Sequence, residues 1–207
     1  MKQLVGHLSV VFFFLISNPA WAVGDHQFVE VNGESFVVDL RYNSTDNFLK
    51  NNVYASFGLD KCYVHQKMYD ALQRAVHFLK ADRLKLVMWD CYRPVDVQRA
   101  MWKLVPDPRY VANPKYGSNH NRGAAIDVTL ADADGNLLPM PTGFDDFSVK
   151  AAPSYRCKSD EIVKCRNRAT LVQLMKSVGL RPIRSEWWHY ELPEAASYPI
   201  VEKLKNP

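Results

Sequence analysis

The chain has 207 residues, of which 47% are hydrophobic and 12% aromatic. That is enough to bury one domain-sized core. Its 26 basic and 22 acidic residues leave a net charge of +4; no Lys/Arg-rich block stands out, which argues against a nucleic-acid partner.

The N-terminus reads as a targeting segment. Lys2 precedes a short apolar run, "LSVVFFFLI", from Leu8 to Ile16, and Ala20-Trp21-Ala22 fits the small-x-small rule for signal peptidase. Residues 1–22 are expected to be a signal peptide cleaved after Ala22. The remaining domain, 23–207, would then be periplasmic or secreted. The competing reading is an uncleaved anchor, but the run falls short of the roughly 20 residues a spanning helix needs, so no stable membrane anchor is expected. Export makes Cys62, Cys91, Cys157 and Cys165 candidates for disulfides. Cys157 and Cys165 suit a local bridge, which would leave Cys62 with Cys91, although the sequence does not choose among the three connectivities. No CxxC pair is present to suggest a cysteine zinc site.

Further along, "ESFVVDLRY" (34–42) reads as a strand. Apolar residues at 64, 68, 72, 75, 76 and 79 have helical spacing with one buried face. "LKLVMWD" (84–90) reads as a strand, and Pro94 opens a helix through Val95–Leu104. The next stretch, to Gly123, is rich in Pro, Gly and Asn and reads as loop. Residues 124–130 form a strand, "DADG" (132–135) a turn, and "NLLPM" its return. Ser159 to Val178 reads as a helix with Ser159 as cap and Gly179 beyond its end. "EWWHYEL" (186–192) reads as a final strand. The expected class is α+β: a small, mainly antiparallel sheet with helices packed on one side.

The strand at 124–130 holds a carboxylate, Asp127, at its centre. Burying it unpaired would cost several kcal/mol, roughly, unless a cation or hydrogen bonds compensate. His120 lies in the loop feeding that strand, and Gly123 gives the loop freedom to fold back. His189 lies three residues after Glu186, a spacing that puts the two on opposite faces of a strand, so a turn near Glu186 is needed to bring them together. Two histidines and a carboxylate form a standard zinc set with an open position for water, and a second carboxylate can take that water's proton. Of the other histidines, His77 reads as solvated, His65 as structural and His26 as mobile near the new terminus.

Ser118-x-His120-x-x-Gly123-x-Ala125-x-Asp127 followed by Glu186-x-x-His189 resembles the D-alanyl-D-alanine dipeptidase family of zinc D,D-peptidases, which includes the vancomycin-resistance dipeptidases. "DLRYNSTDNF" (39–48), "WDCYRP" (89–94), "AIDVTL", "LPM", "FDDF" and "EWWHY" extend the likeness from Asp39 to Tyr190. The resemblance implies one Zn²⁺ per chain held by His120, Asp127 and His189, with Glu186 as general base and Arg93 as oxyanion stabiliser. An arginine keeps its charge at any working pH; its bland alternative is a salt bridge to Asp90. Asp145 would receive the ammonium of a small D,D-dipeptide, with Asp146 as competitor, and Tyr42 and Ser118 would line the substrate pocket.

Two positions depart from the family pattern. Cys91 stands where a glycine is usual: either that position does not need a left-handed backbone, or a bridge to Cys62 remodels the turn. Asn119 stands where serine is common. The expected reaction is zinc-dependent hydrolysis of free D-alanyl-D-alanine, linked to peptidoglycan turnover. The alternatives are a D,D-carboxypeptidase or endopeptidase acting on peptidoglycan stem peptides, and a non-enzymatic binder, which the presence of Glu186 disfavours.

Overall fold

In the computed structural model, which describes residues 28–204, the apolar runs become short strands and three helices. The expected signal segment and His26 lie outside the described residues. β1 (Phe28–Glu30) pairs antiparallel with β3 (Tyr63–His65) as a separate ribbon. The main sheet has five strands: β2 (Phe36–Val38), β4 (Lys85–Asp90), β5 (Ala125–Ala131), β7 (His189–Glu191) and β6 (Arg181–Pro182), in that spatial order. Only β2 and β4 run parallel; the other pairs are antiparallel, as expected.

Helix α1 (Gln66–Leu79) buries Met68, Ala71, Leu72, Ala75, Val76 and Leu79. Each large side chain of that stripe contributes roughly 1.5–3 kcal/mol on burial. α1 contacts α3 (Ile162–Ser177), and these helices contact β4 and β5 respectively, which places them in one layer against the sheet. Helix α2 (Val95–Leu104) starts directly after Pro94, which caps it. Among the described residues no helix is long and apolar enough to cross a membrane.

Several elements are shorter than the pattern predicts, each for a local reason. The strand from 34 ends at Val38, and residues 41–43 form a 3-10 turn. There Asn47 Nδ2 donates to the carbonyls of Arg41, Ser44 and Asn51 and folds the chain back. Val64 belongs to β3, and His65 caps α1 by accepting from the Lys67 N–H. The "NLLPM" return makes a single bridge, Ala131 to Leu137. Ser159 opens a 3-10 turn rather than capping α3, because Glu161 turns inward to accept from Lys150 and Tyr155. Gly179 follows α3 with φ +91°, as its position beyond the helix end requires.

Both bridges form, Cys62–Cys91 and Cys157–Cys165. Cys91 is absent from the residues with positive φ, so a Cβ is tolerated there without remodelling the turn. Gly123 does require glycine: its φ is +60°, and a Cβ would lie 2.8 Å from the backbone nitrogen of His65.

Candidate metal and peptidase site

The site is a row across three strands. Asp90 on β4 is the register partner of Asp127 on β5, and Asp127 is the partner of His189 on β7. A register shift between Met88 and Asp90 accompanies the first pairing. Three polar groups therefore stand side by side across the sheet, and all three are buried.

His120 joins the row from the loop before β5. Residues 119–122 form a 3-10 turn capped by Ser118, whose Oγ accepts from the His120 N–H while Asn121 completes the reciprocal bond. That turn is stitched to the segment after β4: the Arg93 N–H donates to the His120 carbonyl at 3.1 Å, and Asn121 Nδ2 donates to the Arg93 carbonyl at 2.7 Å. The imidazole of His120 arrives with Nε2 3.3 Å from His189 Nδ1 and 3.6 Å from Asp127 Oδ1. His189 Nδ1 lies 2.9 Å from the same Oδ1. Burial opposes a charge on Asp127, yet His120 and His189 beside it, when protonated, hold its carboxyl below the usual carboxylate range; a cation would take the place of those protons.

The outer ring nitrogens test whether these residues fit a cation. His120 Nδ1 is 2.9 Å from the Cys91 carbonyl, and His189 Nε2 is 3.0 Å from Glu191 Oε1. Each outer partner only accepts, so each outer nitrogen carries its ring's proton. With the rings neutral, as a metal requires, two inner lone pairs and a carboxylate oxygen then converge on one point with no hydrogen to share. Within the described residues this trio is the His/Cys/Asp/Glu group whose ligand atoms all lie within 4.8 Å of one another. Nitrogen and carboxylate donors in that number suit zinc with one position open.

The remaining predicted residues surround this trio. Glu186 lies in the irregular segment before β7, with Oε2 4.0 Å from His189 Nδ1, so the turn that the spacing demanded is present. Burial pushes its carboxyl up to about 7. Arg93 donates to Asp90 through Nε and Nη2 and to Gln98 Oε1 through Nη1. The fork has five N–H donors, so these bonds leave two N–H groups for another acceptor. Asp90 also accepts from the Tyr54 hydroxyl and the Cys91 N–H. The salt bridge to Asp90 and a role for Arg93 at the site are thus compatible: the carboxylate aims the guanidinium.

Tyr42 is buried and donates its hydroxyl to Asp145 Oδ1 at 3.3 Å, with the Arg93 guanidinium 5.2 Å from its ring centre. Asp145 also accepts from the Phe48 N–H at 3.1 Å and has φ +56°. Burial pushes its carboxyl up to about 8. Its neighbour Phe144 packs on Tyr42, Trp89 and Trp188, which anchors the loop. Asp146 is exposed and accepts from the Ser148 N–H within its own turn, so Asp145 is the one turned toward the site. Ser118 is brought to the site as a cap beneath His120 rather than as a free hydroxyl. Sequence reasoning missed Tyr54, Gln98 and Glu191. Glu191 was findable, since it shares His189's face on a strand; the other two come from distant loop and helix positions.

A His/Asp/His set borne mainly on a sheet, with a free carboxylate beside it and a braced guanidinium nearby, is the equipment of a zinc metallopeptidase. Residues 24–204 match the Peptidase_M15 family, described as D-ala-D-ala dipeptidase, and the chain belongs to that family. It is 38% identical over 164 residues to the D-alanyl-D-alanine dipeptidase of Escherichia coli, covering 79% of this chain and 82% of that one. It is 27% identical to the enzyme of the same description from Enterococcus faecium, over 74% of this chain and 84% of that one. The corresponding Streptomyces coelicolor protein is 28% identical, over 83% and 93%. Among solved structures, the vancomycin-resistance D,D-pentapeptidase VanY, crystallised as a point mutant with Zn(II), is similar at a TM-score of 0.41 and 16% identity, over 64% of this chain and 74% of that one.

Proposed function

We propose that this chain is a zinc-dependent dipeptidase that hydrolyses free D-alanyl-D-alanine. The observation that carries the reading is the convergence of His120 Nε2, Asp127 Oδ1 and His189 Nδ1 beside Glu186, in a chain of the dipeptidase family. These three residues would hold the ion, one per chain. When bound, zinc supplies a Lewis acid that acidifies water and polarises a carbonyl at neutral pH.

The protein's own groups do the rest. Glu186 takes a proton from the attacking water and delivers it to the leaving amine. Arg93, pre-aimed by Asp90 and Gln98, offers its remaining N–H groups to the oxygen on which negative charge develops. Asp145 and Tyr42 meet the substrate's ammonium end. Asp145 favours a dipeptide over a longer stem peptide, because a buried carboxylate held by Phe48 and Tyr42 is left without a counter-charge when an amide replaces the ammonium. Ser118 shapes the pocket by holding His120 in place.

We further propose that residues 1–22 direct export and that domain 23–207 works in the periplasm or outside the cell, in peptidoglycan turnover. Two disulfides support an oxidising compartment. The test is the release of D-alanine from D-alanyl-D-alanine by the purified chain, alongside its metal content. About one zinc per chain with activity lost on chelation is expected; full activity in a metal-free preparation would overturn the mechanism.

A further inference from the structure

His189 and Glu191 sit two apart on β7, so they share one face of the strand. Glu191 Oε1 lies 3.0 Å from His189 Nε2, on the side of the ring opposite Asp127. The same oxygen accepts from Asn119 Nδ2 at 2.8 Å. Asn119 opens the 3-10 turn whose next residue is His120. One turn therefore carries one ligand and, through Glu191, braces the other.

We infer that Glu191, held by Asn119, is the positioning residue that sets the tautomer and ring orientation of His189 for metal binding. A carboxylate can only accept, so in the neutral ring that binds a metal it keeps the proton on Nε2 and leaves the Nδ1 lone pair toward Asp127 and His120. It also makes the imidazole a stronger donor. The two histidines are set by different means. His120 leans first on a backbone carbonyl, that of Cys91 at 2.9 Å, with Asp90 Oδ2 farther off at 3.5 Å, so no single side-chain change leaves its outer nitrogen without an acceptor. His189 depends on a side chain and is the ligand whose orientation a single substitution can release. Glu191 is partly exposed, and the Asn119 amide limits its freedom to swing to solvent.

The inference rests on the zinc reading, and the experiment separates the two. Zinc affinity of the full chain is measured by competition with a chromophoric chelator, for wild type, Glu191→Ala, Glu191→Gln and Asn119→Ala. Wild type should bind one zinc tightly; failure there would overturn the zinc reading itself. Glu191→Ala should bind about 10–100-fold more weakly and, at saturating zinc, lose kcat with little change in KM. Glu191→Gln keeps an acceptor oxygen and should restore most of the affinity, which also controls for misfolding. Asn119→Ala should shift affinity in the same direction by less. Wild-type zinc affinity in Glu191→Ala, or a Gln variant as weak as the Ala variant, would overturn the assignment.

Discussion

Asp127 and His189 are register partners across β5 and β7, and their donor atoms stand 2.9 Å apart. The sheet itself thus sets the spacing of two of the three proposed ligands; only His120 comes from a loop. Asp90 continues the same row on β4, and its charge is offset by Arg93. Each buried carboxylate in the row therefore has its own cation: a guanidinium for Asp90 and, in this account, zinc for Asp127.

Glu186 approaches the trio without joining it. Glu186→Ala should keep its zinc and lose about 10²–10⁴-fold in kcat, because it removes a base and no ligand. Metal content and turnover on the same sample check both halves. Near-wild-type turnover would reassign the base.

Arg93→Lys should be poorly tolerated. Lysine keeps the charge but cannot make the forked contact with Asp90 while also reaching Gln98. A fall in kcat of about 10²–10³-fold is expected, with zinc content unchanged. Steady-state kinetics with full metal occupancy provides the comparison.

Asp145 gives the account a pH signature. Burial pushes its carboxyl up to about 8, so in the free enzyme it is neutral below that pH and ionised above it. Capture of an ammonium needs the ionised form, so kcat/KM for the dipeptide should climb as pH rises toward 8. A bound ammonium holds the group ionised, so kcat should lack that limb. Asp145→Asn should remove the limb near 8, leave the one near 7 that Glu186 imposes as the base, and raise KM roughly 10–100-fold, in line with the loss of a charged hydrogen bond. Profiles of wild type and variant over pH 6 to 9 make the check.

The Cys62–Cys91 bridge closes a loop of sequence separation 29. Its removal by Cys62→Ser with Cys91→Ser should cost about 3–4 kcal/mol of stability on loop-entropy grounds. Turnover should fall as well, because the Cys91 carbonyl accepts from His120 and the next residues lead to Arg93. Denaturant melts and kinetics below the melting point distinguish the two effects.

The sequence announced the site's parts more clearly than its frame. The buried charge in 124–130, the need for a turn before His189 and the glycine at 123 all follow from elementary rules, and the structure has each of them. The resemblance supplied Arg93 and Asp145, which spacing alone does not connect to the metal trio. What stayed hidden was long-range: Tyr54 reaching Asp90 and the Phe48 N–H reaching Asp145 join segments that no local periodicity links. Asn119, read as a departure from the family pattern, is tied to Glu191 by a contact across 72 positions. The strands are shorter than the apolar pattern because loop hydrogen bonds, such as those of Asn47, end pairing before the pattern does.

The most direct test of the account compares initial rates on D-alanyl-D-alanine and its N-acetyl derivative, using the zinc-loaded chain. The two differ only in the ammonium that Asp145 is proposed to hold. The account predicts rapid cleavage of the free dipeptide and a kcat/KM at least about tenfold lower for the blocked one, as expected for a charged partner lost from a buried acceptor. Equal rates on both would contradict it and favour a D,D-carboxypeptidase.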